Sequence, residues 1–141
     1  LVSSSKKASI LLWDCSKDFS LTKKLEGHYE SSNCLAILSL NKTNTYKYLL
    51  SGGYDNTIKV WDIDQLKCIK TLTGHTDDVI KIITFNDEGK EFFASSSNDC
   101  TIIVWDAINF VALFKFTGHS DCVRSLSSFY HNGQLLISSS S

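Results

Sequence analysis

Three of the four histidines share one local pattern and are therefore the first candidates for chemistry. Each follows a glycine, at Gly27-His28, Gly74-His75 and Gly118-His119, with spacings of 47 and 44 residues. Imidazoles can bind a metal ion, transfer protons or bridge two hydrogen-bonding groups. One interpretation is that the three histidines bind one metal ion together. Their regular spacing instead indicates that each occupies the same position in a different repeat, which would keep the three apart. We therefore favour a structural role and predict no metal site. His131 precedes Asn132-Gly133, which is typical of a hairpin tip, and is expected to be exposed.

The remaining nucleophiles do not form a catalytic pattern. Five cysteines lie far apart, without a C-x-x-C pair, and their odd number does not suit a disulfide framework. We expect five reduced, mostly buried thiols, as in cytosolic or nuclear proteins. His119 and Cys122 could act as base and nucleophile, but GHSDCV aligns with GHTDDV, so Cys122 takes the place of Asp78 in a repeated loop. The serine-rich stretches contain no G-x-S-x-G elbow and the glycines form no phosphate-binding loop, so we predict no enzyme and no cofactor.

Composition and charge exclude several functional classes. Of the 141 residues, 43% are apolar and 21% are charged, and 14 basic against 15 acidic residues give a net charge of −1. Direct binding of nucleic acid is disfavoured because phosphate neutralisation needs a basic surplus. Apolar runs are too short to cross a bilayer and no signal peptide opens the chain, so we predict a cytoplasmic or nuclear protein without a membrane partner. Since the chain opens with Leu1 and contains no methionine, we expect that it starts inside a longer gene product.

A second dipeptide recurs in step with Gly-His. Trp-Asp lies at Trp13-Asp14, Trp61-Asp62 and Trp105-Asp106, with spacings of 48 and 44 residues. The segments that end in these pairs align without gaps as LVSSSKKASILLWD, LLSGGYDNTIKVWD and FASSSNDCTIIVWD. Each holds two β-prone runs separated by turn residues, which predicts a hairpin. Further candidate strands follow each Gly-His (35–40, 79–85, 123–129) and each Trp-Asp (21–25, 68–72, 111–116), so each period holds four short strands and no helix.

Four strands in about 44 residues, with both dipeptides in fixed phase, resemble the repeats of the WD-repeat β-propeller family. The resemblance covers almost the whole chain and implies an all-β fold with about three four-stranded blades. We divide residues 1–141 into repeats of roughly 1–48, 49–92 and 93–141, a partial propeller cut within a blade at both ends. A closed ring has about four to eight blades. We therefore expect either part of a larger ring or self-association, in which another copy completes the ring.

In this family a tryptophan, a serine, a histidine and an aspartate of one blade form a buried hydrogen-bond chain. The matching residues are His28, Ser51, Asp55 and Trp61 in one repeat and His75, Ser95, Asp99 and Trp105 in the next. His119 and Ser138 match part of a further chain. Ser3 and Trp13 match part of an earlier one, in which Lys7 stands at the aspartate position. Linked in series, such groups satisfy one another where a lone buried polar group would cost about 1–3 kcal/mol.

The resemblance also implies the function that we predict, a non-catalytic scaffold that presents loops and rim residues to partner proteins in a multiprotein assembly. The alternative is a regulatory or substrate-recognition propeller attached to a catalytic domain outside this segment, such as a ubiquitin ligase or a kinase. In the family, partners often bind the rim where the Gly-His loops and the inner hairpin turns emerge. Matching positions give the candidate partner-binding residues Tyr29, Tyr54, Asp77, Asp78, Asn98, Asp121 and Arg124. No small-molecule substrate is expected.

Overall fold

The computed structural model describes residues 2–4, 8–16, 18–39 and 46–141, and every regular element within these ranges is a β-strand. The strands are β1 Val2–Ser4, β2 Ser9–Asp14, β3 Ser20–Glu26, β4 Ser32–Ser39, β5 Tyr46–Gly53, β6 Ile58–Asp62, β7 Lys67–Leu72, β8 Val79–Asp87, β9 Lys90–Ser97, β10 Thr101–Asp106, β11 Val111–Thr117, β12 Ser125–His131 and β13 Gln134–Ser140. They form antiparallel sheets of three (β1–β3), four (β4–β7), four (β8–β11) and two (β12–β13) strands. The all-β fold with four-stranded sheets is thereby confirmed.

The strands inferred from the sequence lie close to those of the structure. The six candidate segments after Gly-His and Trp-Asp correspond to β3, β4, β7, β8, β11 and β12. Leu40, the end of one of them, lies outside the described residues, and Val123 precedes β12. His131 is exposed at the end of β12, and Asn132 and Gly133 follow it with φ of 48° and 78°. These left-handed conformations form the expected hairpin tip.

Successive sheets pack face to face, and the apolar core lies between them. The largest interface joins the second and third sheets and contains Leu38, Leu50, Ile58, Val60, Leu72, Val79, Ile82, Phe93, Ile103, Trp105 and Ala107. Ile10 and Leu25 of the first sheet meet Leu49 and Trp61 of the second. Ala94, Ile102 and Val104 of the third sheet meet Val123 and Leu126, next to and within β12. The second and third sheets therefore bury apolar side chains on both faces, whereas the first and fourth sheets each bury them against one neighbour.

Burial falls from the middle of each four-stranded sheet towards its last strand. Strands β6 and β10 are buried along nearly their whole length because a neighbouring sheet covers each face. This burial explains the apolar run of β10 from Ile102 to Trp105, whereas Lys59 interrupts the apolar residues of β6. Strands β7 and β11 form the outer edges and are almost wholly exposed. At the other side, the first strands β4, β8 and β12 contact each other in succession. The sheets thus converge on their first strands, which places the loops of neighbouring sheets side by side.

Two backbone irregularities recur with the repeat. A shift in strand register precedes each tryptophan, at Leu12/Trp13, Val60/Trp61 and Val104/Trp105. Such a bulge inserts an extra residue and re-aims the side chains that follow. The hairpin turns also share a left-handed residue at one position, namely Ala8, Asn56 and Cys100 with φ of 58°, 61° and 64°. The tryptophan and the turn are therefore set by the same backbone geometry in each copy.

Candidate functional site

The second sheet holds a complete hydrogen-bond chain. Trp61 Nε1 donates to Ser51 Oγ at 2.9 Å, and Ser51 Oγ lies 2.7 Å from His28 Nε2. On the other side of the ring, His28 Nδ1 lies 2.9 Å from Asp55 Oδ2. Because a carboxylate only accepts, the proton of the neutral imidazole is on Nδ1, and Nε2 accepts from the Ser51 hydroxyl. Every donor in the series thus points from the indole towards the carboxylate.

The third sheet repeats this geometry. Trp105 Nε1 donates to Ser95 Oγ at 2.9 Å, Ser95 Oγ lies 2.8 Å from His75 Nε2, and His75 Nδ1 lies 3.0 Å from Asp99 Oδ2. The histidine comes from the loop before β8, the serine from β9, the aspartate from the β9–β10 turn and the tryptophan from β10. Each chain therefore ties a Gly-His loop to the hairpin of the sheet that follows it.

Each aspartate also accepts hydrogen bonds from groups that sequence reasoning missed. Thr57 Oγ1 donates to Asp55 Oδ1 at 2.7 Å, and Thr101 Oγ1 donates to Asp99 Oδ1 at 2.6 Å. The backbone amides that follow His28 and His75 donate to the second oxygen of these carboxylates, both at 3.0 Å. The available signal was the spacing D-x-T in DNT and DCT, which is typical of a turn closed by an aspartate side chain.

Burial favours the neutral form of the imidazoles, and hydrogen bonds favour the ionised form of the carboxylates. Desolvation lowers the pKa of His28 and of His75 by more than the neighbouring carboxylate raises it, and a nearby lysine lowers each further. Desolvation raises the pKa of Asp55 and Asp99, but the threonine, imidazole and backbone hydrogen bonds outweigh it, so both pKa values lie below their ordinary range. A neutral imidazole with its proton on Nδ1 and an ionised aspartate are the charge states that the hydrogen-bond directions require in both hydrogen-bond chains.

Glycine precedes each buried histidine because an indole lies against it. A Cβ atom at Gly27 would lie 2.9 Å from Trp61 Cη2, and one at Gly74 would lie 3.3 Å from Trp105 Cη2. By contrast, a Cβ atom at Gly118 would meet no heavy atom of the described residues within 4 Å. In each complete copy the glycine of Gly-His therefore packs against the tryptophan of Trp-Asp. This contact explains why the two dipeptides keep the same phase.

The two partial copies hold fewer groups and require one correction. Trp13 Nε1 donates to Ser3 Oγ at 2.9 Å, whereas Lys7 lies outside the described residues. His119 Nε2 lies 2.8 Å from the hydroxyl of Ser139, so the expectation of Ser138 is wrong. Ser139 follows its histidine by 20 residues, as the serine of the third sheet does. Side chains alternate along a strand, so Ser138 faces the opposite side of β13.

The order serine, histidine, aspartate also occurs in hydrolases, where the serine attacks a carbonyl carbon. Ser51 and Ser95 are both 0% exposed, and each hydroxyl already accepts a hydrogen bond from an indole. A substrate therefore cannot reach either oxygen. Among the residues that the structure describes, no three histidine, cysteine, aspartate or glutamate side chains are grouped so that they could hold a metal ion. The arrangement suits an internal fastener.

One end of the sheets carries three loops, before β4, β8 and β12, and two hairpin turns, β5–β6 and β9–β10. We call this surface the loop face (residues 27–31, 54–57, 73–78, 98–100 and 118–124). Tyr54 N donates to Ser31 O at 2.9 Å, and Asn98 N donates to Asp78 O at 3.0 Å. A hairpin turn is thereby joined to the preceding loop in each complete sheet. Backbone hydrogen bonds between loops and turns stabilise the loop face, and the two buried hydrogen-bond chains stabilise it from the interior.

The structure places the seven candidate partner-binding residues on the loop face. Tyr29 is 90% exposed and Tyr54 is 44% exposed. Asp77, Asp121 and Arg124 are also exposed, whereas Asp78 and Asn98 are half-buried and joined by a hydrogen bond from Asn98 Nδ2 to Asp78 Oδ2 at 3.2 Å.

Negative charge gathers between the second and third sheets on this face. Desolvation and the carboxylate of Asp77 raise the pKa of Asp78, and Glu30 adds to this effect. The repulsion from Asp77 and Glu30 places three carboxylates near one another on the two loops that carry them.

The cysteines are less buried than the sequence suggested. Cys15 and Cys68 are exposed, and Cys34, Cys100 and Cys122 are half-buried, so the expectation of mostly buried thiols is wrong. The cause is their position, because Cys68 lies on the outer strand β7, Cys15 in the β2–β3 turn, and Cys100 and Cys122 on the loop face. None of the five cysteines, all of which lie in the described ranges, forms a disulfide bond. Desolvation raises the pKa of Cys34 to about 12.

Among the described residues no helix is long and apolar enough to cross a membrane.

In comparisons with known proteins, the family model "WD domain, G-beta repeat" matches residues 19–62, 66–106 and 110–141. The chain is 32% identical over 79 residues to Nuclear distribution protein PAC1 of Arthroderma otae, which covers 54% of this chain and 17% of that protein. It is 44% identical over 48 residues to Cell division control protein 4 of Saccharomyces cerevisiae, with 34% of this chain and 6% of that protein covered.

Solved structures match over a larger part of the chain. The structure of U3-55K aligns with a TM-score of 0.77 at 27% identity and covers 89% of this chain and 38% of that chain. The crystal structure of RRP9 WD40 repeats gives the same TM-score of 0.77 at 27% identity. The chain spans less than a fifth of the curated relatives it matches and little more than a third of these solved chains. Since the family model matches well over half of its residues, the chain belongs to the WD domain, G-beta repeat family.

Proposed function

We propose that this protein is a non-catalytic interaction scaffold whose loop face binds partner proteins in a multiprotein assembly. WD repeats generally mediate contacts between proteins in assemblies, which supports this function. The observation that carries the proposal is the pair of buried hydrogen-bond chains beneath the loop face. They hold the Gly-His loops and the hairpin turns in fixed positions, so a partner would bind exposed side chains on a preorganised backbone. Preorganisation reduces the entropy lost on binding.

Tyr29 is the strongest candidate anchor on this face. Its ring is 90% exposed, while its backbone amide donates to Asp55 Oδ2 at 3.0 Å. A large aromatic side chain on an immobilised backbone is of the type that carries binding energy in protein interfaces. The carboxylate of Glu30 lies on the same loop as Tyr29, and those of Asp77 and Asp78 lie on the neighbouring loop before β8. They favour a partner segment that presents lysine or arginine side chains.

We also propose a cytoplasmic or nuclear location and a ring that further blades complete. One relative is named a nuclear distribution protein, which supports the location. The solved relatives extend well beyond the part that matches this chain, which supports further blades. Those blades come from a longer polypeptide or from a second copy. The division into repeats at 1–48, 49–92 and 93–141 stays a prediction.

The test compares variants of the full chain that change the loop face with one that changes the opposite end of the sheets. Tyr29→Ala removes the anchor, and Asp78→Lys reverses a charge on the loop face. Asp64→Lys makes the same charge change in the exposed β6–β7 turn and is the matched control. Partners are quantified by cross-linking and mass spectrometry, after thermal unfolding has shown that the variants are folded. We expect the same partners to be lost from both loop-face variants and kept by Asp64→Lys. Equal partner sets in all four proteins would refute the proposal.

A further inference from the structure

Two thiols from neighbouring sheets meet at one backbone carbonyl on the loop face. Cys100 lies in the β9–β10 turn, and Cys122 lies in the loop between β11 and β12. Cys100 Sγ is 3.6 Å from Asn98 O, and Cys122 Sγ is 3.7 Å from the same oxygen. The two sulfur atoms therefore cannot be further apart than the sum of these two distances.

The backbones of these two segments are also joined at one point. Cys100 N donates to Ser97 O at 3.3 Å, and Val123 N, in the peptide bond that follows Cys122, donates to the same oxygen at 3.1 Å. A disulfide needs Cα atoms roughly 4.4–6.8 Å apart and side chains that point towards each other. Two chain segments that share one carbonyl for their backbones and another for their sulfur atoms suit this requirement. Both side chains are half-buried, so a small reagent can reach them.

We propose that Cys100 and Cys122 are a thiol modification site, at which a disulfide oxidant such as oxidised glutathione forms an intramolecular bond between the third and fourth sheets. One thiolate attacks a sulfur atom of oxidised glutathione and releases one glutathione thiolate, which leaves a mixed disulfide. The second thiolate attacks the protein sulfur of that mixed disulfide and releases the second glutathione. Two protein thiols lose two electrons, and oxidised glutathione is reduced to two molecules of glutathione, which take up the two protons.

The surroundings determine how readily the reaction proceeds. Desolvation and the Asp121 carboxylate raise the pKa of Cys122, and Arg124 opposes them in part. Because the thiolate is the attacking form, exchange should be faster above neutral pH. Cys34 differs in that burial raises its pKa to about 12, so it should remain reduced in the same sample.

The bond would join two loops of the loop face. Asn98, whose carbonyl both thiols contact, is a candidate partner-binding residue, and so are Asp121 and Arg124 on either side of Cys122 and Val123. Oxidation would therefore alter the surface on which the proposed scaffold binds its partners. That consequence rests on the proposed function, whereas the formation of the disulfide does not.

The experiment uses the full chain with Cys15→Ser and Cys68→Ser, which removes the two exposed thiols that could link separate molecules. The protein is equilibrated with defined ratios of oxidised and reduced glutathione, and remaining thiols are then blocked by alkylation under denaturing conditions. Intact mass and a peptide map without reductant follow. We expect the loss of two hydrogen atoms, a peptide that links Cys100 to Cys122, and an alkylated Cys34.

Two controls carry residues that the repeat itself provides at the equivalent positions. Cys100→Asn copies Asn56, whose φ of 61° is close to the 64° of Cys100, and Cys122→Asp copies Asp78. In either variant we expect no linked peptide, and the remaining thiol should carry at most one glutathione. The proposal is overturned if both thiols of the parent are recovered alkylated, or if each carries its own glutathione at equilibrium. Neither result depends on partner binding, so the test is independent of the proposed function.

Discussion

Two adjacent serines of β9 provide a matched test of the buried hydrogen-bond chain. Ser95 and Ser96 have the same side chain, lie next to each other on one strand and are both 0% exposed. The Ser95 hydroxyl lies between Trp105 Nε1 and His75 Nε2, at 2.9 Å and 2.8 Å. Among the described residues, Ser96 Oγ has no hydrogen-bond partner. The same substitution at the two positions should therefore have different effects.

The structure sets the size of that difference. Ser95→Ala leaves an indole N–H and an imidazole nitrogen buried without a partner, and each such group costs about 1–3 kcal/mol. Water cannot easily replace the hydroxyl at a fully buried site, so we expect a loss of roughly 2–5 kcal/mol in the free energy of unfolding. Ser96→Ala removes a buried hydroxyl that lacks a partner. It should leave the free energy of unfolding unchanged or raise it by up to about 1 kcal/mol.

Urea unfolding followed by tryptophan fluorescence and by circular dichroism measures both variants against the parent. The prediction is a lower midpoint for Ser95→Ala and an equal or higher midpoint for Ser96→Ala, with similar slopes. If the two variants shift the midpoint equally, burial of a serine at this position matters and its hydrogen bonds do not. The hydrogen-bond chain would then contribute nothing to stability, contrary to the prediction.

Three further predictions concern acid, glycine and the partial copy. The buried histidines have folded pKa values below the unfolded value of about 6.5. The unfolded chain therefore binds more protons as the pH falls below that value. Each histidine should reduce the free energy of unfolding by up to about 1.4 kcal/mol per pH unit, as a titration of stability from pH 7.5 to 5 would show. Gly27→Ala forces a Cβ atom against Trp61 and should cost about 1–3 kcal/mol, whereas Gly118→Ala should be close to neutral in the same thermal scans. Ser139→Ala should lower the melting temperature more than Ser138→Ala. The opposite order would indicate that His119 is hydrogen-bonded to Ser138 and not to Ser139.

The fold could be predicted well from the sequence because the copies of the repeat can be compared with one another. Three copies of Gly-His and of Trp-Asp kept one phase, and a serine, an aspartate and a tryptophan could be matched to each complete copy. The strand positions followed from the apolar runs between these markers, since strands and turns leave direct signals in residue type. The structure adds a reason for the common phase, which is the contact of Trp61 with Gly27 and of Trp105 with Gly74.

Several features could not be obtained in this way. The choice of Ser138 was wrong by one residue because a run of serines offers no mark of register. Ser139 lies 20 residues after its histidine, as Ser95 does, but the separation is 23 residues for Ser51, so spacing alone does not identify the serine. The bulge before each tryptophan depends on pairing with the neighbouring strand and has no residue type of its own. The convergence of Cys100 and Cys122 depends on how one sheet packs against the next, which local sequence does not encode.

We conclude that the recurring histidines hold the fold together and are not reagents. Nitrogen-detected NMR of His28 and His75 at pH 7 tests it most directly, because it reports the tautomer and the charge of each ring. We predict neutral rings protonated on Nδ1, slow exchange of that proton with water, and titration midpoints below the ordinary value of about 6.5. Rings that exchange rapidly with water and titrate near pH 6.5 would contradict it.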